Sequence, residues 1–310
     1  MRGLLNPFLL RMLLKHCTHG ALGAFSTGMG STDLAFAMIS GGNWFKVPES
    51  IKVVLSGKPG LHTTGKDIIL EIIRMIGVDG ALYRTLEFVG STIEHLTMDD
   101  RFSMCNMAIE AGAKSGIVAV DDITREFLAD KNLAREPREH YSDADAVYSQ
   151  VLEIDVANLD PVIAYPFLPS NGHSIVQAVA DKIKVDQAFI GSCTNGRLAD
   201  LKVAAEILKG KKVHEDVRLI VTPGTQKILR EANHLGYIDI IVDAGGVVSN
   251  PTCGACLGGY MGILGDNEVA ISTTNRNFVG RMGSRSSKVY LANSAVAAIS
   301  AITGYISDPR

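Results

Sequence analysis

Three cysteines in two loop segments have the residue type and spacing for metal binding or redox chemistry. Cys253 and Cys256 lie in PTCGACLGG, and Cys193 lies in the separate segment FIGSCTNGR. Each segment is predicted to follow a strand, VDQAFI before Cys193 and IDIIVD, through a glycine-rich loop, before the pair. Because the carboxyl ends of parallel strands meet at one edge of a sheet, we expect the three thiols to converge.

The spacing of Cys253 and Cys256 permits three kinds of site. A thioredoxin-like redox pair opens a helix early in a small βαβ unit, whereas this pair lies in a long glycine-rich loop late in the chain. A closed zinc site needs four ligands, and the sequence has no second C-x-x-C and no nearby H-x-x-x-H pair. Three thiolates leave one iron of a cubane iron-sulfur cluster without a protein ligand, free to bind a substrate oxygen. The sequence favours the cluster, and the other two sites stay open as alternatives.

The elements that must position these residues follow an alternating pattern. From residue 185 onward, short runs rich in Val and Ile alternate with helical segments of about three turns, which predicts parallel strands joined by right-handed crossovers. The predicted strands are VDQAFI, VRLIVT, IDIIVD, EVAIST and KVYLAN, and the helices are RLADLKVAAEIL, QKILREANHL and SAVAAISAIT. Upstream, Thr64 to Met75 has a possible Thr cap and a helical apolar pattern that ends near Gly77. The charged stretch from Arg125 to Gln150 is predicted to be a surface helix and a connection.

Composition excludes several classes of protein. The chain has 310 residues, 46% of them hydrophobic and 20% charged, which is typical of a globular α/β enzyme. A formal net charge of -3 gives no basic surface for phosphates and argues against a nucleic-acid partner. No run approaches the ~20 apolar residues that span a bilayer, so no membrane partner is expected. The odd number of cysteines, 5, argues against a disulfide framework and for the cytoplasm.

Five motifs together resemble the large subunits of the aconitase-type hydro-lyases, specifically of 3-isopropylmalate dehydratase and homoaconitase. They are GSCTNGR at 191–197, GGVVSNPTCGACLGG at 245–259, STTNRNFVGRMGS at 272–284, FSTGMGSTDLA at 25–35 and CNMAIEAGA at 105–113. The resemblance extends from about Cys17 to the C-terminus. It implies an aconitase-like α/β fold of three-layer αβα domains with mostly parallel sheets.

The resemblance also implies a chemistry. A 4Fe-4S cluster would be held by Cys193, Cys253 and Cys256, with its open iron binding a 2-hydroxy di- or tricarboxylate such as isopropylmalate or homocitrate. Dehydration followed by rehydration would move a hydroxyl between adjacent carbons without net redox change, with leucine biosynthesis as the favoured pathway. Cys17 and Cys105 are isolated in the sequence and are predicted to be small buried apolar residues.

The remaining candidate residues are polar. Asn275, Arg276 and Arg281 are expected to bind the substrate, because a guanidinium group grips a carboxylate through two parallel hydrogen bonds. Asn106 and Glu110 are four residues apart and would share one face of a helix. Taken alone, such a pair is typical of a solvated helix edge. The resemblance instead implies catalytic roles for both, with Glu110 handling the proton of the departing or returning hydroxide.

The first residues depart from the family pattern. Where the family carries an Asp-Ser-His-Thr run, this chain has Leu13, Leu14 and Lys15 in place of the first three. We therefore expect a truncated or disrupted chain, with an unrelated leader in 1–16, a remnant of a first domain in 17–49, a middle domain in 50–160 and a cluster domain in 161–310. The resemblance implies a partner, the small subunit that carries the swivelling domain on a separate chain. The alternative is a catalytically impaired fragment or paralogue that only binds the cluster or that subunit.

Overall fold

A computed structural model describes residues 16–129, 131, 133 and 138–310. Residues 1–15 of the predicted leader lie outside this range. The helices are α1 (Ser31–Ser40), α2 (Gly65–Ile76), α3 (Met98–Met107), α4 (Asp122–Ala129), α5 (Ile175–Ala180), α6 (Ser192–Asn195), α7 (Leu198–Leu208), α8 (Gln226–His234), α9 (Tyr237–Asp243) and α10 (Ser294–Thr303). The strands are β1 (Ser50–Ser56), β2 (Thr85–Val89), β3 (Ser115–Val118), β4 (Gln150–Asp155), β5 (Val162–Ala164), β6 (Gly172–Ser174), β7 (Gln187–Gly191), β8 (Arg218–Thr222), β9 (Val247–Val248), β10 (Val269–Ser272) and β11 (Lys288–Leu291). Short 3₁₀ helices span His16–Leu22, Ser91–His95, Ala108–Ala111, Val156–Asn158 and Gly254–Leu257.

The chain divides into two compact units. The first takes the residues up to Lys58 together with Asp79–Asp155, and the second takes Pro59–Val78 and Val156–Arg310. Helix α2, which falls within the predicted middle domain, is therefore grouped with the second unit. The domain boundaries derived from the sequence stay a prediction.

The first unit is organised around a parallel sheet with the strand order β3-β2-β1-β4 among the described residues. Strand β1 shows why the sequence forms this sheet, because alternate side chains, those of Ile51, Val53 and Leu55, are buried. Helix α3 begins at a capping box in which Thr97 accepts a hydrogen bond from the backbone of Asp100.

A buried ion pair links α3 to the start of α4. The guanidinium of Arg101 is fully buried and donates to both carboxylate oxygens of Asp121, at 2.7 and 2.6 Å. It also donates to the Thr124 hydroxyl and to the carbonyl of Ile93. Burial on its own would raise the pKa of Asp121, but the hydrogen bonds from Arg101 and Thr124 outweigh it and lower the pKa to about 2.

We expect the Asp121→Asn variant to lower the free energy of unfolding by about 3 kcal/mol at pH 7. This is the low end of the range for breaking a buried ion pair, since a third of the Asp121 side chain is exposed and screened. Because the folded pKa lies below the unfolded value of about 3.9, the stabilisation is complete above pH ~4 and is lost as the pH falls toward 2. Denaturant unfolding at several pH values measures both effects.

The matched control is Asp122→Asn at the next residue. The Asp122 side chain is fully exposed and pairs with Arg125, so its loss is expected to lower the free energy of unfolding far less than the loss of Asp121 does. Equal destabilisation by the two variants, at every pH, would show that the buried pair contributes nothing beyond surface electrostatics.

The second unit is built on a larger mixed sheet. In the described part of the chain its strand order is β6-β5-β11-β10-β7-β8-β9. Strand β5 pairs antiparallel with both β6 and β11, and the other pairs are parallel. Its core is formed by apolar residues of β7, β8, α7 and α10, among them Ile190, Val221, Leu201 and Val296. The predicted α/β class with mostly parallel sheets is confirmed.

Helix α2 forms as the sequence predicts. Thr64 and Asp67 close a capping box at its start, and Gly77 follows its last residue. The apolar side chains of Ile68, Ile69, Leu70, Ile72 and Ile73 are completely buried. Cap and apolar pattern therefore agree at both ends of this helix.

The prediction of a strand at IDIIVD is wrong, because these residues belong to α9, Tyr237–Asp243. Gly236 precedes this helix with a φ of 77°. Tyr237, Ile240 and Ile241, at the helical spacing i, i+3 and i+4, pack against the core of the unit. The helical period of the buried residues thus outweighs the strand preference of Ile and Val. The strand before the Cys253–Cys256 loop is β9 instead.

Within the described residues, no helix combines the length and the apolar character needed to cross a membrane.

Candidate active site

Cys193 lies on the short helix α6, directly after strand β7. Gly191 ends this strand with a φ of 146°, and a Cβ on it would stand 2.1 Å from the carbonyl oxygen of Thr222. Only glycine fits there, so the turn lies against the end of β8. Ser192 has a φ of 74°, which is unusual for a residue with a side chain and marks a constrained turn. Cys193 itself is exposed.

The loop with Cys253 and Cys256 packs against the end of β8, as the Cys193 turn does. Cys256 lies on the 3₁₀ helix Gly254–Leu257 and is buried, whereas Cys253 immediately before it is exposed. A Cβ on Gly254 would stand 2.7 Å from a ring carbon of Phe189 in β7 and 3.1 Å from the Thr222 hydroxyl. Both cysteine-bearing loops therefore meet around Thr222, the last residue of β8.

The three thiols are not assembled as a metal site in this structure. Among the described residues, no three His, Cys, Asp or Glu side chains form a group that could hold a metal ion, and the three cysteines are among those residues. The structure thus brings together the loops that carry Cys193, Cys253 and Cys256, while convergence of the thiols and their role as ligands stay a prediction.

The loop after β10 is tied to the Cys193 turn. The amide of Gly191 donates to the Thr273 hydroxyl at 2.8 Å, and that hydroxyl donates to the Gly191 carbonyl at 3.2 Å. The Thr194 hydroxyl donates to the side-chain carbonyl of Asn275, which is completely buried. The predicted substrate residue Asn275 therefore lies beside the turn that carries Cys193.

Arg281 lies beside the other cysteine loop. A Cβ on Gly258, two residues after Cys256, would stand 3.1 Å from the carbonyl oxygen of Arg281. The Nε atom of Arg281 and the hydroxyl of Ser192 are buried, and neither has a hydrogen-bond partner among the described residues. Buried donors without acceptors are costly, so these two atoms fit a site that holds an acceptor-rich ligand. Arg276 follows Asn275 and is half-buried.

Asn106 and Glu110 both belong to the first unit. Asn106 lies in the last turn of α3, and Glu110 lies on the following 3₁₀ helix. Their exposed fractions are 2% and 5%, so the interpretation as a solvated helix edge is wrong. The Asn106 amide donates to the Thr18 hydroxyl at 2.7 Å, because the 3₁₀ helix His16–Leu22 packs against α3. Their catalytic roles stay a prediction.

Cys17 and Cys105 are buried as expected. Burial raises the pKa of the Cys17 thiol to about 11 and raises the pKa of Cys105 well above its ordinary value. The Cys17 sulfur donates to the carbonyl of Lys114 at 3.4 Å. The raised pKa of both thiols makes the thiolate form that a metal binds more costly to reach.

Comparison with known proteins identifies the family. The family model described as Aconitase family (aconitate hydratase) matches residues 16–304 of this chain. The chain belongs to the aconitase family. The matched range includes the three proposed cluster ligands, Cys193, Cys253 and Cys256. It also includes the other predicted site residues: Asn106, Glu110, Asn275, Arg276 and Arg281.

Curated relatives in the aconitase family are similar over most of the chain. The 3-isopropylmalate dehydratase large subunit of Sulfurimonas denitrificans is 89% identical over 294 residues, which are 95% of this chain and 70% of that protein. The protein of the same name from Aliarcobacter butzleri is 77% identical over 299 residues, with the same coverage of 95% and 70%. The crystal structure of Thermococcus kodakaraensis aconitase X aligns with a TM-score of 0.41 at 14% identity, over 74% of this chain and 49% of that chain. The family match and the two dehydratase large subunits confirm the resemblance derived from the five motifs.

Two threonine hydroxyls join the aconitase motifs to one another, and no expectation from the sequence covers them. These hydroxyls belong to Thr194 and Thr273. The Ser192 hydroxyl lies in one of the same motifs, but it is buried and has no hydrogen-bond partner among the described residues. The available signal was the density of hydroxyl and amide residues in GSCTN and STTN, each of which directly follows a buried strand. Such residues at a strand end are typical of a hydrogen-bonded loop framework.

Proposed function

We propose that this chain is the large subunit of a 3-isopropylmalate dehydratase-type hydro-lyase, which isomerises a 2-hydroxy di- or tricarboxylate by removing and re-adding water. The observation that carries the proposal is the meeting of both cysteine loops at Thr222, with Asn275 hydrogen-bonded to the Cys193 turn. The names of the similar proteins favour isopropylmalate over homocitrate, and leucine biosynthesis as the pathway.

The proposed cofactor is a 4Fe-4S cluster held by Cys193, Cys253 and Cys256. Its support is the donor type, since three thiols lie in loops that pack on the end of β8. The Ser192 hydroxyl and the Arg281 Nε, on the same loops or beside them, have no hydrogen-bond partner among the described residues. When bound, the cluster supplies a Lewis-acid iron without a protein ligand. Binding would deprotonate the three thiols and draw them together, which couples cluster assembly to the conformation of both loops.

The other side chains are proposed to bind substrate and move protons. The guanidinium groups of Arg276 and Arg281 bind substrate carboxylates, and Asn275, whose side-chain oxygen accepts a hydrogen bond from Thr194, is proposed to bind the substrate beside them. The carboxyl of Glu110 gives a proton to the departing hydroxide and takes one from the returning water. Asn106, whose amide donates to the Thr18 hydroxyl, is proposed to take part in catalysis as well. These two roles follow the aconitase family.

The proposed partner is the small subunit that carries the swivelling domain on a separate chain. The support is that the relatives are named as large subunits, which implies a small subunit as partner. A cytoplasmic location is proposed because the odd number of cysteines, 5, argues against a disulfide framework, and thiols that serve as ligands need a reducing compartment.

Anaerobic reconstitution with iron and sulfide, followed by mixing with the small subunit of a relative, tests the function. We expect ~4 iron atoms per chain and turnover of isopropylmalate, followed by the ultraviolet absorbance of the unsaturated dehydration product. A cluster without turnover of either acid would support the impaired-chain alternative. A chain that retains no iron after desalting would contradict the proposal.

A further inference from the structure

We propose that Lys66 is a positioning residue that sets the orientation of Asn275 and Arg276 in the second unit. Lys66 lies in the first turn of α2 and is completely buried. Its ammonium group donates to the carbonyl oxygens of Thr273 and Thr274, at 2.9 and 2.7 Å. These are the two carbonyls directly before Asn275.

The location of this lysine is costly in two ways. An ammonium removed from water loses its hydration, and lysine is almost never fully buried without compensating contacts. A cation in the first turn also opposes the helix dipole, whose positive end lies there. A residue that served only to complete α2 would be apolar or acidic at this place, so the contacts with the two carbonyls are the feature that accounts for lysine.

Hydrogen bonds fix the backbone at the start of α2, from which the Lys66 side chain extends. The carboxylate of Asp67, the next residue, accepts hydrogen bonds from the Thr64 amide and hydroxyl, the Val162 amide and the Asn293 side chain, at 2.8 to 2.9 Å. The start of α2 is thereby held against β5 and against the cap of α10. The ammonium group of Lys66 therefore has one defined position.

The contacts beyond the two carbonyls lead to the Cys193 turn. The hydroxyl of Thr273 bonds both the amide and the carbonyl of Gly191, and Asn275 accepts a hydrogen bond from Thr194. Lys66 therefore fixes the backbone of a loop whose side chains reach the proposed cofactor turn on one side and the proposed substrate on the other. Its link to substrate rests on the proposed function, whereas its effect on the loop does not.

Hydrogen exchange of the chain without iron tests the positioning directly. Lys66→Met keeps the length of the side chain and removes the donors. We expect the amides of Thr273 and Thr274, which donate to Phe189 and Ser272, to exchange at least about tenfold faster in this variant. Exchange in β8, α7 and α10 is expected to stay unchanged. The matched control is Lys202→Met on the exposed face of α7, where Lys202 lies 3.9 Å from Glu206.

Kinetics of the reconstituted variant with the small subunit measures the consequence for substrate. Because a displacement of about 1 Å can cost ~100-fold, we expect kcat/KM to fall by about that factor while the iron content is retained. Lys202→Met is expected to keep both kcat and KM. If the parent chain itself has no turnover, the proposed function fails, and the exchange measurement still decides the role of Lys66.

Unchanged exchange at Thr273 and Thr274 in Lys66→Met would overturn the proposal, and so would faster exchange spread evenly over the second unit. Lys66→Gln, which keeps a neutral N–H donor, is expected to give an intermediate increase confined to the same amides. It takes over as the test if the Met variant does not fold. Failure of both variants to fold would show that Lys66 supports the whole unit, which contradicts a local positioning role.

Discussion

Replacing Cys193, Cys253 or Cys256 by Ala should reduce the iron content of the reconstituted chain from ~4 to below ~1 per chain and abolish turnover. A cubane held by three thiolates loses a third of its protein ligands with any one of them. Cys17 and Cys105 belong to the first unit, and burial raises the pKa of both thiols. Iron and labile sulfide analysis with the visible absorbance of the cluster measures the result.

The matched controls are Cys17→Ala and Cys105→Ala, which remove the same group from buried sites that no cluster is proposed to use. Both are expected to retain the iron content of the parent chain, with some loss of stability because a buried side chain is truncated. If Cys193→Ala retained its iron while Cys105→Ala lost it, the ligand set proposed from the motifs would be wrong.

Local pattern was sufficient for much of the second unit. Strands β7 and β8 and helices α7, α8 and α10 are found where the sequence predicts them, because their propensity, period and caps all agree. Helix α2 is a further case, with its Thr64 cap and terminal Gly77. Where several local signals agree, tertiary packing does not change the secondary structure that they predict.

The failure at IDIIVD has the opposite cause. Its Ile and Val residues favour a strand, and its six residues are too few to display a helical period clearly. The decisive information is which of them contact the core, and only the folded unit shows that Tyr237, Ile240 and Ile241 do so together. The expected position of the loop does not depend on this error, because β9 runs parallel to β8 and the loop after it begins at the same edge of the sheet. The roles of the cysteines in that loop stay a prediction.

Lys66 lies beyond any local prediction. Its two carbonyl partners are 207 and 208 residues away along the chain, and a lysine in a first helical turn is by default a solvated residue. The same holds for Asn106 and Glu110, whose burial depends on the packing of the 3₁₀ helix His16–Leu22 against α3. Contacts distant in sequence thus decide which polar residues are buried, and a local sequence pattern does not contain that information.

Arg281→Lys is expected to lower kcat/KM for isopropylmalate by ~100-fold while the iron content stays unchanged. The substitution keeps the positive charge but removes the planar fork that binds a carboxylate through two parallel hydrogen bonds. It also removes the buried Nε donor, which has no acceptor among the described residues and is therefore available to a ligand. Steady-state kinetics with the small subunit present measures the change, and we expect it chiefly in KM if the carboxylate is held equally in the ground and transition states.

The control is Arg285→Lys, four residues further along the same loop, where the arginine is exposed. Loss of charge geometry at a solvated residue is expected to change kcat/KM less than about twofold. Arg276→Lys is a second variant that tests the other proposed substrate arginine. Arg276 follows Asn275 in the loop that Lys66 is proposed to hold. Equal values of kcat/KM for Arg281→Lys and Arg285→Lys would contradict the assignment of Arg281 to the substrate. A single ammonium group cannot replace a bidentate contact with a carboxylate without a loss of kcat/KM. A parallel loss of iron in Arg281→Lys would instead assign the Nε atom to the integrity of the cysteine loop beside Gly258, and the substrate carboxylate would then depend on Arg276.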